Sequence, residues 1–502
     1  MKNLTKTKYV KGVRCLKALY LNVYQPELGK EPDESQKMIM AQGQAVGEFA
    51  KKEFKGGVDI SKSDGKFDEQ VRLTKEALKK DVPAIFEATF LHEGVLCKVD
   101  ILERTKKGWN LIEVKSSTKV TEEHIHDVAV QYAVLKGAGI QVERAYLMLV
   151  NTACIYPDLS NFFKKEDVTK EVEMKLSEVK GNLKKQFDVL KSKREPKIDI
   201  GEYCLKFPGN KKPRACEFKE HCWKHIKENS VFELYRLKKE KQFDLYTSGV
   251  LQIKALPKGY KLNAMQERQV EAVFSKAPYM DKAGIGDFLS QIEYPVHYLD
   301  FETANPAIPR FKGIHPYEHI PFQFSCFVRE ENGNLLYREF LQLGTNDPRE
   351  ALLKALLEGI QNRGSIFVYN AVFEKRILKS LAKSFPKYEK KINGIIERIV
   401  DMMDIFLNYY YHPDFHGSLS LKKIVPVLAP SLSYEGMEIA EGGSASAAYM
   451  RTLTEDLSEI EISAIEKNLR EYCKKDTQVM VEIHDFFLNL LSDKKQKKQC
   501  LK

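Results

Sequence analysis

The stretch VLCKVDILERTKKGWNLIEVKSS, residues 95–117, decides the fold of the first part of the chain. Two runs rich in β-branched and apolar residues are separated by a charged, turn-like segment, which predicts two strands. Asp100 lies in the first run. Glu113 and Lys115 lie two residues apart in the second, so their side chains leave the same face of that strand. If the strands pair as a hairpin, Asp100 can join them.

These residue types suit phosphodiester hydrolysis. Carboxylates bind Mg²⁺ or Mn²⁺, and a lysine can position or help to deprotonate an attacking water. The alternative is that these charged side chains have no catalytic role and merely occupy the solvent-facing positions of half-exposed strands. Two predicted helices favour the functional interpretation, because Glu48 lies in the helix predicted over residues 34–54 and Gln131 in the helix predicted over residues 124–139.

Together these residues resemble the RecB-type branch of the PD-(D/E)XK nucleases. The resemblance implies a mixed-sheet nuclease domain whose catalytic set is Asp100, Glu113, Lys115 and Gln131. It also implies that Asp100 and Glu113 are the metal ligands. In this family an earlier helical residue, often histidine, assists catalysis, and this chain offers Glu48 at that position.

The cysteines flank this predicted domain. Nine cysteines, an odd number, argue against a disulfide framework and favour a metal site with some free thiols. Four thiolates suit zinc or an iron–sulfur cluster, and no paired CxxC knuckle is present. RecB-type nucleases with an iron–sulfur staple resemble this layout of one cysteine before the core and three after it. The resemblance implies a structural [4Fe–4S] cluster, with zinc as the alternative, on Cys15, Cys204, Cys216 and Cys222.

The charge distribution is typical of a protein that binds a polyanion. Of the net charge of +10, residues 1–230 carry +9. A solvated lysine-rich surface is the alternative explanation. The residues predicted to contact a nucleic-acid backbone are Lys206, Lys211, Lys212, Arg214 and, in the second half, Lys422.

Residues 290–490 begin a second α/β pattern of strand, hairpin, helix, strand and further helices, which predicts a mixed sheet. In HYLDFET, residues 297–303, Asp300 and Glu302 share one face of a strand. Glu374 follows the strand VYN, and Tyr472 and Asp476 are spaced to share one face of a helix. Four converging carboxylates repel one another unless cations neutralise them, and two metal ions are the usual solution. Tyr472 would orient the water.

This second set resembles the DnaQ-like, DEDD-type 3′–5′ exonucleases on an RNase H-like fold, in the subgroup whose last motif is YxxxD. The resemblance implies that Asp300, Glu302, Glu374 and Asp476 hold Mg²⁺ or Mn²⁺. One departure is that the second motif usually ends in Asp, whereas this chain has Glu374. The longer carboxylate favours, as an alternative, a nucleic-acid-binding scaffold with one or both nuclease sites inactive.

The two halves together resemble bacterial proteins of unknown function that fuse a RecB-type nuclease to a DnaQ-like exonuclease. We expect a nuclease domain over 1–228, a helical connector over 229–289, an exonuclease domain over 290–490 and a basic tail over 491–502. The predicted function is a metal-dependent DNA nuclease with two active sites, an exonuclease on single-stranded DNA or DNA ends, in repair, mobile-element processing or defence. RNA stays open as a substrate. An iron–sulfur redox enzyme is a second alternative, for which no GxGxxG or Walker-type loop is found.

Bulk sequence properties predict a cytoplasmic protein without a membrane partner. No stretch approaches the roughly 20 uninterrupted apolar residues of a membrane span. The first 20 residues also lack the apolar run of a signal peptide.

Overall fold

The computed structural model of the protein describes residues 3–62, 66–439 and 441–499, apart from the side chains of residues 62 and 493–499. The chain forms two compact units, one of residues 1–225 and 306–317 and the other of residues 226–305 and 318–502. Each unit combines helices with a mixed sheet, which confirms the predicted α/β class. The predicted connector, residues 229–289, lies within the second unit.

The first unit is built on a seven-stranded sheet with the order β2-β3-β4-β5-β6-β7, in which β1 also pairs with β4. The strands are β1 (Leu4–Thr5), β2 (Val58–Asp59), β3 (Ala84–His92), β4 (Val95–Arg104), β5 (Trp109–Lys115), β6 (Val142–Val150) and β7 (Phe163–Asp167). Strand β4 runs antiparallel to both β3 and β5, and β6 runs parallel to β5.

The helices of the first unit cover this sheet. They are α1 (Lys6–Arg14), α2 (Leu16–Tyr24), α3 (Glu34–Lys51), α4 (Phe67–Lys79), α5 (Glu122–Gly137), α6 (Thr169–Ser192) and α7 (Lys219–Cys222). The predicted helices around Glu48 and Gln131 are α3 and α5. Side-chain caps explain where they begin: Asp33 forms a capping box with Gln36, and Thr121 accepts a hydrogen bond from the backbone of His124.

The predicted hairpin of residues 95–117 is present as β4 and β5. The turn is closed locally, because the Thr105 hydroxyl accepts hydrogen bonds from the backbone N–H groups of Lys107 and Gly108 at 3.3 and 2.9 Å. Ile101 pairs with Ile112 across the hairpin. This register places Asp100 on β4 close to the end of β5.

One predicted helix begins later than expected. The charged composition of residues 160–195 predicts one long helix, but residues 163–167 form β7 and the helix α6 begins at Thr169. The strand forms because β6 offers an unpaired edge, whose backbone groups take Phe163–Asp167 as an antiparallel partner. Residues 306–317 pack in the same unit, where the Ala307 N–H donates to Gln42 at 2.6 Å.

The second unit is built on a five-stranded sheet with the order β11-β10-β9-β12-β13 and a separate pair, β8 with β14. The strands are β8 (Tyr279–Met280), β9 (Val296–Ala304), β10 (Ile320–Arg329), β11 (Leu335–Leu341), β12 (Ile366–Val368), β13 (Ile399–Asp401) and β14 (Tyr410–Tyr411). The meander β9-β10-β11 is antiparallel, and β12 runs parallel to both β9 and β13. The predicted hairpin is thus β10 and β11.

Helices cover both faces of this sheet. They are α8 (Lys239–Thr247), α9 (Ala264–Ser275), α10 (Lys282–Ser290), α11 (Arg349–Gly359), α12 (Ala371–Ser384), α13 (Glu389–Glu397), α14 (Met403–Asn408), α15 (Leu421–Leu428), α16 (Gly442–Thr454) and α17 (Glu459–Gln499). The backbone of 491–499, predicted as tail, continues α17, and residues 500–502 lie outside the described residues. Among the described helices, none is both long enough and apolar enough to cross a membrane.

The alternation of side chains along β9 determines on which face of the sheet the acids of the second predicted site lie. Leu299 and Phe301 enter the core formed with α11, α12 and α13. Val296 and Tyr298 enter the opposite core, to which α17 contributes. Since strand side chains alternate, Asp300 and Glu302 belong to the face of Tyr298 and meet α17.

Candidate active sites

An open cleft of about 470 Å³ in the first unit brings together Asp100, Glu113 and Lys115. The Asp100 carboxylate is held by the hairpin itself, because its Oδ2 accepts a hydrogen bond from the Val114 N–H at 2.8 Å. Glu113 is only 1% exposed, so its charge depends on protein partners rather than on water.

Glu113 is the centre of the hydrogen-bond network in this cleft. Lys115 Nζ donates to its Oε1 at 2.7 Å, and Gln131 Nε2 donates to its Oε2 at 2.8 Å. Lys6 Nζ donates to both oxygens, at 2.9 and 3.0 Å. Three predicted residues, Glu113, Lys115 and Gln131, are therefore in direct contact, and an unpredicted lysine joins them.

Lys6 and Asp127 belong to this site although the sequence analysis missed both. Lys6 begins α1 and also lies 3.6 Å from Asp100 Oδ1, and Asp127 accepts a hydrogen bond from Lys115 Nζ at 2.5 Å. Asp127 precedes Gln131 by four residues on α5, a spacing that shares a helix face and could have revealed it. Lys6 is 107 residues from Glu113 in sequence, and no local pattern marks it.

The two lysines set the protonation of these groups. Burial and the repulsion of Glu113 raise the pKa of Asp100 to about 7. Burial alone would raise the pKa of Glu113, but Lys115 and Lys6 outweigh it and hold that pKa well below its usual range. Burial disfavours the ammonium of Lys115, yet the neighbouring carboxylates raise its pKa above the ordinary value. Lys115 therefore stays protonated, which favours a positioning role over proton abstraction.

Glu48 is not brought to this cleft. Its side chain is 69% exposed and pairs with Lys51 at 2.6 Å, while α3 contributes Gly43 to the cleft lining. Five residues on a helix correspond to about 140° of rotation, so Glu48 and Gly43 face different directions. The expectation that Glu48 supplies a carboxylate beside Asp100 is thus not met.

The four cysteines predicted to hold a cluster come from the beginning and the end of the first unit's sequence. Cys15 lies between α1 and α2, Cys222 ends α7, and the Cys216 N–H donates to the Cys204 carbonyl at 2.8 Å. Burial raises the pKa of the thiols of Cys15, Cys216 and Cys222, and nearby Cys204 raises each further. Cys204 therefore lies close enough to the other three to affect their ionisation, although the four thiols are not among the described groups whose ligand atoms all lie within 4.8 Å of one another.

The basic residues of the cysteine loop differ in their surroundings. Arg214 lines the cleft and pairs with Glu123 at 3.4 Å. Lys206 pairs with Glu202 at 2.9 Å, whereas Lys211 and Lys212 are exposed. Arg214 is therefore the member of this group beside the carboxylates. Lys11 and Arg14 of α1 also line the cleft and extend its basic character.

The predicted carboxylates of the second unit meet at one place. Asp300 and Glu302 come from β9, Glu374 from the first turn of α12, and Asp476 from α17. Glu302, Glu374 and Asp476 are 5%, 2% and 9% exposed. No ion pair joins any of the four to a lysine or arginine among the residues that the structure describes.

Without cations these carboxyl groups resist ionisation. Burial raises the pKa of Asp300, Glu302 and Glu374 well above the usual range, and the neighbouring carboxylates add to the effect in each case. Burial also raises the pKa of Asp476, although hydrogen bonds from Tyr434 and Tyr472 and the charge of Lys422 limit it to about 6. The donor set of four carboxylates fits oxygen-preferring divalent cations.

Two further residues complete this site. The Tyr434 hydroxyl donates a hydrogen bond to Asp476 Oδ1, and no sequence motif around Tyr434 predicts that contact. The Cys473 thiol lies 4.0 Å from Asp300 Oδ2. Cys473 follows Tyr472 directly, so the motif YCKKD could have revealed it.

Asp401 caps the helix α12, because its carboxylate accepts hydrogen bonds from the N–H groups of Asn370 and Ala371 at 3.0 and 2.8 Å.

Comparison with known proteins finds a family model that matches part of the second unit. A family model described as "Domain of unknown function (DUF2779)" matches residues 297–420. The match includes Asp300, Glu302 and Glu374 but ends before Tyr472 and Asp476. The site of the first unit lies outside it.

The chain is also similar to three curated mycoplasma proteins. An uncharacterized protein of Ureaplasma parvum serovar 3, UU173, is 23% identical over 239 residues, which cover 43% of this chain and 34% of that protein. The uncharacterized protein MG366 of Mycoplasma genitalium is 25% identical over 214 residues, covering 39% of this chain and 32% of the relative. Its homolog in Mycoplasma pneumoniae is 24% identical over 217 residues, with the same coverage. The chain spans about a third of the length of these relatives.

Proposed function

We propose that this protein is a metal-dependent nuclease that hydrolyses DNA at two separate sites, one in each unit. One observation carries the proposal: carboxylates predicted from three distant sequence motifs converge in the second unit, buried and without a basic partner among the described residues. Such a cluster is costly unless divalent cations neutralise it. DNA-end and single-strand processing is the favoured activity, with RNA as an open alternative.

The strand order of the second unit supports the finer fold assignment. The meander β9-β10-β11 followed by the parallel strands β12 and β13 is the mixed sheet that an RNase H-like, DnaQ-type domain implies. In the first unit, the order of α4, three antiparallel strands, α5 and the parallel strand β6 supports a PD-(D/E)XK assignment.

In the second unit Asp300, Glu302, Glu374 and Asp476 would hold the divalent cations. Such cations, when bound, stabilise the charge that develops on the scissile phosphate and activate water. Tyr472 keeps its proton, because burial raises its pKa far above the usual range and the nearby carboxylates raise it further. Its hydroxyl hydrogen-bonds Asp476 in the metal-free site, and it would orient the water by turning from that carboxylate once a cation neutralises it.

In the first unit Asp100 and Glu113 would hold the cation, and the chain supplies the remaining groups. Lys115 stays protonated and can donate to a phosphate oxygen or to the attacking water. Gln131 fixes the orientation of Glu113 by donating to its Oε2. Lys11, Arg14 and Arg214 line the same cleft and can meet the nucleic-acid backbone without reading its sequence.

The four cysteines would hold a [4Fe–4S] cluster, or zinc, in a structural role. Arg14 donates to the carbonyls of Tyr203 and Arg214 at 2.6 and 2.5 Å, so α1 and the cysteine loop already contact each other. A cluster would strengthen that junction. We expect Cys216→Ser to destabilise the first unit and lower the iron and sulfide content, which metal analysis and thermal unfolding would measure. Stoichiometric zinc in the wild type would replace the iron–sulfur assignment.

A binding scaffold is the second candidate function, and Lys6 is the observation that favours it. The Lys6 ammonium contacts both oxygens of Glu113 and lies near Asp100, so these carboxylates are neutralised without a metal. A cleft balanced in this way could bind nucleic acid without cleaving it.

The decisive experiment is degradation of end-labelled single-stranded DNA by the full chain in Mn²⁺ or Mg²⁺. Wild type would be compared with Lys115→Ala, Asp300→Ala and the double variant, with the exposed residues Lys119→Ala and Asp287→Ala as matched controls. We expect each single variant to lose one activity, by about 10²-fold or more, and the double variant to lose both. Absence of cleavage of DNA and RNA by metal-loaded wild type would establish the scaffold instead.

A further inference from the structure

The proposed chemistry leaves one buried group of the second site unused, the thiol of Cys473. This residue is 0% exposed on α17, between Tyr472 and Asp476. One ligand atom from each of Asp300, Glu302 and Cys473 lies within 4.8 Å of the others, and this is the one such group of three among the described residues. The thiol is thus placed among donors rather than against apolar side chains alone.

A second observation shows that this cluster lacks a partner. Glu374 Oε2 is buried and has no hydrogen-bond partner among the described residues. Leaving a buried polar atom unsatisfied costs about 1–3 kcal/mol, and such atoms commonly indicate an ion or a water that completes the site. Glu374 is 2% exposed, and the repulsion of Asp300 helps to raise its pKa, so the two carboxyl groups are near each other.

We propose that Cys473 is a sulfur ligand of the second-unit metal site, which makes that site prefer borderline cations such as Zn²⁺ and Co²⁺ over Mg²⁺. Thiolate ligands favour softer cations, whereas carboxylates alone suit Mg²⁺ and Mn²⁺. Coordination forms a sulfur–metal bond and releases the thiol proton to solvent. The inference rests on the proposed metal site of the second unit and names the cation class it selects.

The spacing permits this coordination with a small adjustment. A tetrahedral ion about 2.3 Å from sulfur and about 2.0–2.2 Å from oxygen separates those two donors by about 3.6 Å. The Cys473 Sγ and Asp300 Oδ2 are 4.0 Å apart. Coordination would therefore bring these two donors about 0.4 Å closer together. Packing is the competing explanation, because a free cysteine is also a small buried apolar residue.

The test is a Co²⁺ titration of the full chain with its four-cysteine site already loaded. Sulfur-to-cobalt charge transfer gives a near-ultraviolet difference band only when a thiolate binds the ion. Wild type would be compared with Cys473→Ser and with Cys326→Ser, a matched control that is also 0% exposed but lies on β10 beside the Phe327 carbonyl. We expect the band in wild type and control, its loss in Cys473→Ser, and Co²⁺ affinity at least about tenfold lower in that variant.

The outcomes separate the two proposals. An unchanged band and affinity in Cys473→Ser, with Mn²⁺ still bound by the carboxylates, would overturn the sulfur ligand alone. Failure of Asp300→Asn to weaken either Mn²⁺ or Co²⁺ binding would overturn the metal site itself. If Cys473→Ser does not fold, the wild-type band decides: its disappearance in Asp300→Asn supports the proposal, and its persistence there contradicts it.

Discussion

The two candidate sites bury carboxylates in opposite ways. In the first unit Lys6 and Lys115 lie within hydrogen-bonding distance of Glu113, and the pKa of that acid falls. In the second unit burial raises the pKa values of all four carboxyl groups, and repulsion between carboxylates raises those of Asp300, Glu302 and Glu374 further. The first site carries two ammonium groups, although its Asp100 also has a raised pKa, whereas the second must take up protons or metal ions. A similar set of acids can therefore depend on external cations to very different degrees.

Removing the central acid of the first site should have the largest effect on stability. Glu113→Gln removes the acid that both partly buried lysines share, and breaking a buried ion pair from one side costs about 3–5 kcal/mol. We expect the free energy of unfolding of the first unit to fall by that amount in urea titrations. Glu122→Gln, which alters a 36% exposed acid of the same unit, should cost about 0–1 kcal/mol. Equal losses in the two variants would contradict the buried network.

The same isosteric change in the second site should act in the opposite direction. Asp300→Asn removes a charge that its neighbours disfavour, so the metal-free chain should gain about 1–3 kcal/mol at pH 8. At pH 4 the gain should vanish, because the carboxyl is already protonated there. Metal addition should stabilise the wild type more than the variant. A loss of stability at pH 8 without metal would show that the repulsion is not the dominant effect.

The pH dependence of the metal-free protein should distinguish the sites. The pKa of Asp476 is raised from 3.8 to about 6, so its contribution is present below pH 4 and is lost as the pH rises to about 6. At about 1.4 kcal/mol per unit, the loss approaches about 3 kcal/mol. Glu113 has a lowered pKa, so its stabilisation is present above about pH 4.5 and is lost on further acidification.

Unfolding measured between pH 3 and pH 8 checks both directions. Asp476→Asn should reduce the decline between pH 4 and pH 6 by up to about 3 kcal/mol, while the other acids with raised pKa values keep part of it. Saturating Mn²⁺ should oppose the decline, because the ion binds the ionised carboxylates. A decline as steep in Asp476→Asn as in wild type would contradict the raised pKa of Asp476.

The smallest expected effect concerns the internal cation of the first site. Lys6→Met removes an ammonium that competes with a metal for Glu113 and Asp100, so Mn²⁺ affinity there should rise about tenfold. Mn²⁺ binding measured by electron paramagnetic resonance, in an Asp300→Asn background that weakens the second site, checks this. Lys8→Met, on the same helix but outside the cleft lining, is the control. Weaker binding in Lys6→Met would mean that the lysine supports the site.

Local patterns predicted much of both sites. The period of two in β5 and β9 placed Glu113 with Lys115 and Asp300 with Glu302, and helical spacing placed Tyr472 with Asp476. The same reasoning failed for Glu48, because a helix has many faces and the sequence does not say which one meets the sheet. It also failed at β7, where an unpaired strand edge outweighed the helical character of a charged segment.

The sequence by itself determined the α/β class, the hairpin of residues 95–117 and most of the carboxylates that meet in the two candidate sites. These features depend on short-range periodicity. What only the tertiary structure decided was how the charges are balanced. Lys6 reaches Glu113 from 107 residues away, and Cys473 reaches Asp300 from 173 residues away. Electrostatic energy depends on distances in space and on burial, and neither is written in the spacing of residues along the chain.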